Sequence, residues 1–244
     1  MNIHVYRTSD EMGAAAAKLI AGELNAAVEE KGEARLLLST GASQFEMFQA
    51  LVKETVDWSR VTMFHLDEYV GLEETHKASF RKYLKERFVS KVKIREAVFV
   101  DGEGDVNAQI RYLSERLREA PIDVGVVGIG ENGHIAFNDP PADFTTQESY
   151  IVVNLDEKCK LQQVGEGWFA TADDVPKQAV SMTVHQIMKC RKIISVVPHK
   201  EKAAAVFNTL SQPVTAAVPA TILKTHGCWD LFLDAESSSG FLNM

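Results

Sequence analysis

Patterns that hold metals or disulfides are missing from this sequence. Its 244 residues include three cysteines, Cys159, Cys190 and Cys228. They are widely spaced, odd in number and without a CxxC, so neither a disulfide framework nor a zinc site is expected. No run approaches the roughly 20 apolar residues of a membrane span. The opening "MNIHVYRTSDEMG" lacks the basic-then-apolar pattern of a signal peptide. Basic residues are outnumbered, 26 Lys and Arg against 34 Asp and Glu, which argues against a nucleic-acid surface but leaves room for a local cationic pocket. Repeats, low-complexity stretches and Pro/Gly/Ser linkers are absent as well. The expectation is a cytoplasmic chain folded as one domain over residues 1–244, long enough to bury a large core.

Short apolar runs alternate with longer amphipathic ones. Strands are predicted at "NIHVY", "ARLLLS", "VTMFHL", "AVFV", "IDVGVVGI", "YIVVNL", "KIISVVP" and "WDLFL". Helices are predicted at "EMGAAAAKLIAGELNAAVEE", "FEMFQALVKE", "SFRKYLKERFVS", "VNAQIRYLSERLREA", "AVSMTVHQIMKC" and "KEKAAAVFNTL". Apolar strands between helices imply an α/β fold, a mostly parallel sheet covered on both faces. Ligands of such sheets bind beyond the carboxyl ends of strands. Three segments fall at such ends: "STGASQ" (39–44), "LDEYVG" (66–71) and "GIGENGHIAFND" (128–139).

Each segment supports two readings. In the first, Thr40, Gly41, Ala42 and Ser43 present backbone N–H groups to an anion at a helix start, or Ser43 and Glu46 form a capping box. The pattern is not a Walker loop, since GxxxxGK[ST] is absent. In the second, Asp67 and Glu68 are solvated or capping, or one is a general base made stronger by burial. Their side chains point apart, so at most one faces a given pocket. In the third, Gly128, Gly130 and Gly133 allow positive φ and close packing, and His134 is a core imidazole or a proton-transfer group. Asn132 can orient a ring nitrogen or a ligand hydroxyl there, and Asp139 can fix the imidazole tautomer.

"LDEYVGL", "GIGENGHIAFND" and "VPKQAVSMTVHQIM", in this order and spacing, resemble the glucosamine-6-phosphate deaminase/isomerase family, which shares its fold with 6-phosphogluconolactonases. The resemblance runs from "LLLSTGAS" to "VPATIL". It implies a Rossmann-like three-layer α/β/α sandwich. It also implies conversion of glucosamine 6-phosphate and water to fructose 6-phosphate and ammonia, without redox cofactor or metal. His134 matches the ring-opening residue and Asp67 the base that moves a proton from C2 to C1; Asn132 and Asp139 match the flanking catalytic positions. Thr40, Gly41, Ala42, Ser43 and Lys202 match the phosphate site. The implied partner is a small sugar phosphate, with neither nucleic acid nor membrane; a homo-oligomer stays open.

The sequence departs from the family at several points. Asp139 stands where Glu is common, one methylene shorter, so its contact with His134 is expected to need a loop shift or a water. Ala42 replaces a glycine. The phosphate-binding Arg is missing, with Gly167 at its place, and Arg81 and His199 are candidates to restore the charge. Lys200 is an alternative alignment to Lys202. The segment "CKLQQVGEGWF" (159–169) is replaced throughout; Gln162, Gln163, Glu166 and Trp168 line a pocket or a lid, or Trp168 and Phe169 anchor it in the core. Rival readings are a deaminase or isomerase of another phosphorylated sugar, a lactonase, and a sugar-phosphate sensor. The lactonase is disfavoured because its motifs tend toward "DER" and "GHTASLFP". The sensor is disfavoured because no basic arm or spare segment is present.

Overall fold

The computed structural model describes residues 1–240, so the last four residues of the expected 1–244 domain lie outside the described residues. Among the described residues ten strands form: β1 (Asn2–Tyr6), β2 (Ala34–Leu38), β3 (Val61–His65), β4 (Asp67–Tyr69), β5 (Glu96–Val98), β6 (Val124–Val126), β7 (Tyr150–Asn154), β8 (Gln178–Met182), β9 (Lys192–Val197) and β10 (Trp229–Asp234). The helices are α1 (Ser9–Lys31), α2 (Phe45–Leu51), α3 (Phe80–Leu84), α4 (Val106–Arg118), α5 (Glu157–Gly165), α6 (Val184–Ile187) and α7 (Ala203–Ser211). Seven strands make one parallel sheet in the order β1-β10-β9-β6-β2-β3-β5.

Side chains alternate across a strand, and here the alternation sorts the core onto two faces. Leu36, Leu38, Val124, Val126, Ile194 and Val196 pack beneath α1, α2 and α3. Leu37, Ile193 and Val197 face the other way, toward Leu113 and Leu117 of α4, Ile187 of α6 and Val206 of α7. The result is helices on both sides of a mostly parallel sheet, as the alternating pattern implies.

A second sheet is the main departure. Strands β4, β8 and β7 pair antiparallel in that order. The segment "AVSMTVHQIMKC" is therefore not one helix: Gln178–Met182 is the central strand of this sheet, and only Val184–Ile187 is helical. Thr183 separates them, its extended backbone ending the strand while its hydroxyl accepts the N–H of Gln186. Likewise half of "LDEYVG", Asp67–Tyr69, is strand. At Leu66 the chain passes from one sheet to the other: its N–H donates to Leu38 O at 3.2 Å and its carbonyl accepts from Met182 N–H at 3.0 Å.

Candidate active site

The loops after β2, β3 and β6, neighbours in the sheet, open with the loop after β9 onto one cleft of about 810 Å³. Asp67, His134, Asn132, Thr40, Gly41, Ala42, Ser43 and Lys202 all line it. Asp139 is absent from the wall and stands behind His134.

Asp67 opens β4 opposite Ser181 and is 6% exposed. Burial, with the charge of Glu68 adding to it, pushes its carboxyl pKa up to about 8. Glu68 points the other way and is spent on structure. Its carboxylate accepts backbone N–H groups of Tyr69, Phe80 and Arg81 and the Ser79 hydroxyl, and so holds the start of α3. Of the adjacent pair, only Asp67 meets the cleft.

His134 sits on a turn closed by Gly130 N–H to His134 O and Gly133 N–H to Gly130 O, both 2.9 Å. Two glycines are required. A Cβ on Gly130 would lie 2.2 Å from the imidazole, and Gly133 has φ +83°. Gly128 contributes neither a positive φ nor so close an approach. The backbone N–H of His134 donates to Asn132 Oδ1 at 3.0 Å, and Asn132 Nδ2 donates to Asp139 Oδ1 at 3.2 Å. His134 Nδ1 lies 3.1 Å from the same Asp139 oxygen, within ion-pair reach though off the line of an ideal ring hydrogen bond. Asp therefore reaches His134 directly, so of the two expected routes, a loop shift or a bridging water, the water is not needed. Burial alone would raise the Asp139 pKa, but hydrogen bonding and charge from His134, with Asn132 and the Cys159 thiol, hold it below the usual value.

The anion loop is shaped by Gly41, φ +106°, whose carbonyl accepts the Tyr83 hydroxyl at 2.8 Å. Ser43 does not cap the helix: no side chain caps either Ala42–Gln44 or α2, and the Ser43 oxygen accepts from Gln44 Nε2 at 3.0 Å. Lys202, 9% exposed, reaches the cleft, whereas Lys200 is exposed outside it. Burial pushes the Lys202 pKa down, opposed by Glu166, Glu131 and Glu201. Arg81 is not a candidate anion ligand. It is 4% exposed, ion-paired to Glu68, Asp101 and Glu103 and donating to Leu72 O.

The replaced segment forms α5, a helix not read from the sequence and capped by Asp156, which accepts the Cys159 N–H at 2.6 Å. Both expectations for the segment are met by different residues. Gln162, Gln163, Glu166 and Trp168 line the cleft, while Phe169 packs in the core against Tyr69. Buried Gln163 accepts the Tyr69 hydroxyl at 2.8 Å, tying α5 to the strand that carries Asp67. Ser39, inside the 39–44 segment but not among its named candidates, lines the cleft and keeps a buried hydroxyl without a hydrogen-bond partner among the described residues. Its signal was its place as the first polar residue after "ARLLL".

Comparison with known proteins gives a consistent picture. The family model described as glucosamine-6-phosphate isomerases/6-phosphogluconolactonase matches residues 7–231. A glucosamine-6-phosphate deaminase of Staphylococcus epidermidis is 36% identical over 231 residues, covering 90% of this chain and 92% of the relative. One from Streptococcus equi subsp. equi is 34% identical over 210 residues, 86% and 88% of the two chains. A solved monomeric glucosamine-6-phosphate deaminase superposes with a TM-score of 0.88 at 28% identity, covering 98% of this chain and all of that one, 100%. A 6-phosphogluconolactonase from Shewanella baltica superposes at 0.81 with 22% identity over 96% and 98%, a likeness of fold alone.

Proposed function

The chain belongs to the family of glucosamine-6-phosphate isomerases and 6-phosphogluconolactonases, and on that premise we propose that it converts glucosamine 6-phosphate and water to fructose 6-phosphate and ammonia. The observation that carries this reading is the meeting of Asp67 with the His134–Asp139 pair at one cleft. The reaction needs an acid for the ring oxygen and a base for a carbon acid, and the two groups are differently tuned.

Ring opening comes first. His134, backed by Asp139, gives a proton to the ring oxygen as the anomeric hydroxyl loses one, leaving the open aldehyde. Asp67 then takes the C2 proton and a proton is returned to C1. This turns the 2-amino aldose into a 2-imino ketose form, and water adds to the imine carbon to expel ammonia. Burial raises the Asp67 pKa to about 8, which favours the protonated acid near neutral pH. The substrate's own ammonium at C2 reverses this, since a nearby positive charge favours the carboxylate. The substrate thus helps to ionise its base.

The phosphate lies on the backbone N–H groups of Thr40, Gly41, Ala42 and Ser43, with the Ser43 hydroxyl and Lys202. Residues 1–244 act as one catalytic domain in this reading, on a soluble sugar phosphate. No described helix is long and apolar enough to cross a membrane.

The test is ammonia release from glucosamine 6-phosphate by the purified protein. Release is expected from the wild type and is lost by at least roughly a hundredfold in Asp67→Asn and in His134→Gln. Turnover of the cyclic sugar by His134→Gln at the wild-type rate would remove its ring-opening role. A folded wild type that releases no ammonia would overturn the substrate assignment.

A further inference from the structure

The proposed substrate carries a phosphate dianion into a cleft rich in carboxylates. Asp67, Glu131, Glu166 and Glu201 are in its wall, and among the described lining residues Lys202 is the one lysine or arginine. Gly167, where the resemblance places an Arg, supplies no side chain and turns with φ +81°. Arg81 is committed to three carboxylates, and His134 is engaged by Asp139. The remaining basic side chain on the wall is His199.

His199 is held in an unusual way. Its backbone has φ 77° and ψ 152°, a region populated almost only by glycine and costly for a residue with a Cβ. Asp234, buried at the end of β10, enforces this conformation: its Oδ2 accepts the His199 N–H at 3.0 Å. The ring itself is not restrained in the same way. Nδ1 stands 4.0 Å from that oxygen, beyond hydrogen-bond distance, and Nε2 has no hydrogen bond among the described residues. The imidazole is 38% exposed. The charged groups around it are Asp234 and Glu236, whose carboxylate oxygens lie within 4.8 Å of a ring nitrogen, and Lys200, Glu201 and Lys202 along its own turn. The position is also right for the anion loop. Gln44 Nε2 donates to Val196 O at 3.0 Å, which ties residues 42–44 to the end of β9, three residues before His199. Lys202 follows three residues after it.

We infer that His199 is a phosphate-binding residue, an imidazole N–H donating to a phosphate oxygen beside Lys202 in place of the missing Arg. The inference rests on the sugar-phosphate reading above. A glycine would occupy this backbone without strain, so retaining a side chain here calls for a gain elsewhere. A charge-assisted bond to a dianion is such a gain.

The test compares His199→Gln, His199→Arg and His199→Gly with wild type, reading inhibition by inorganic phosphate and the KM for glucosamine 6-phosphate. In His199→Gln both constants are expected to rise roughly tenfold, the loss of one charge-assisted bond, with kcat within about twofold. His199→Arg is expected to restore the wild-type values. His199→Gly separates function from folding: it is expected to melt no lower than wild type, because strain is relieved, while binding phosphate as weakly as His199→Gln. Wild-type phosphate binding in either the Gln or the Gly variant overturns the inference. Direct calorimetric titration with inorganic phosphate reads the same ranking even in a protein that releases no ammonia. Failure of the His199 inference is thus distinguishable from failure of the deaminase reading.

Discussion

An ionised carboxylate at Asp67 has to exist at a buried position, 6% exposed, and the protein is least stable where that carboxylate is most useful. The unfolded chain binds this proton with the ordinary value of 3.8, whereas the folded state holds it up to about 8. Between these values the folded state carries the extra proton, so stability falls as pH rises. The Asp67 contribution is fully favourable below about pH 4 and is lost as pH passes the folded value near 8. Asp67→Asn removes the titration while keeping the shape. It is expected to raise the melting temperature at pH 8 and above, by a stabilisation on the order of a few kcal/mol, and to change it little at pH 4. Melting curves at the two pH values check this; equal shifts at both would mean that Asp67 ionises freely in the fold. The expected trade is activity lost for stability gained at the same residue.

At the scale of elements, the strand–helix alternation was readable because each buried parallel strand is a continuous apolar run. The second sheet was not, for a specific reason. In "AVSMTVHQIMKC" the apolar residues Val180, Val184, Ile187 and Met188 fall at i, i+4, i+7 and i+8, a helical spacing, although the first of them lies in β8. Only pairing with β4 and β7, remote in sequence, decides the matter. Helix α5 escaped notice because it carries few apolar residues and turns Gln162 and Gln163 toward a cleft rather than a core. The site was more readable than its supports. Asp67, His134 and the anion loop follow short motifs at strand ends, but the Tyr69–Gln163 bond that joins β4 to α5 spans 94 positions. Removing its donor in Tyr69→Phe leaves the Gln163 carbonyl without its partner, at a cost of about 1–3 kcal/mol. Urea unfolding should register that loss, accompanied by a raised KM as α5 loosens along the cleft. A loss below about 0.5 kcal/mol would mean that the pair does not hold the segment.

For the whole molecule, the cleft lies where the sheet order reverses direction in sequence. Its walls come from the ends of β2, β3, β6 and β9 together with α5. A ligand bridging these walls links segments from residue 39 to residue 202, so its binding energy acts on the global unfolding equilibrium rather than on one loop. The net charge of −8 offers an anion no general attraction, which leaves recognition to the local groups in the cleft. Fructose 6-phosphate, which cannot run the reaction backward without ammonia, is a suitable ligand for reading this linkage. At about 100 times its Kd it is expected to stabilise the fold by about 2.7 kcal/mol. For a chain of this size that corresponds to a rise of roughly 5 to 10 °C in melting temperature. Fructose without the phosphate, at the same concentration, should leave the transition nearly where it was. Equal shifts from the two sugars would mean that the ring alone supplies the binding energy, and that the anion loop and Lys202 do not hold the phosphate.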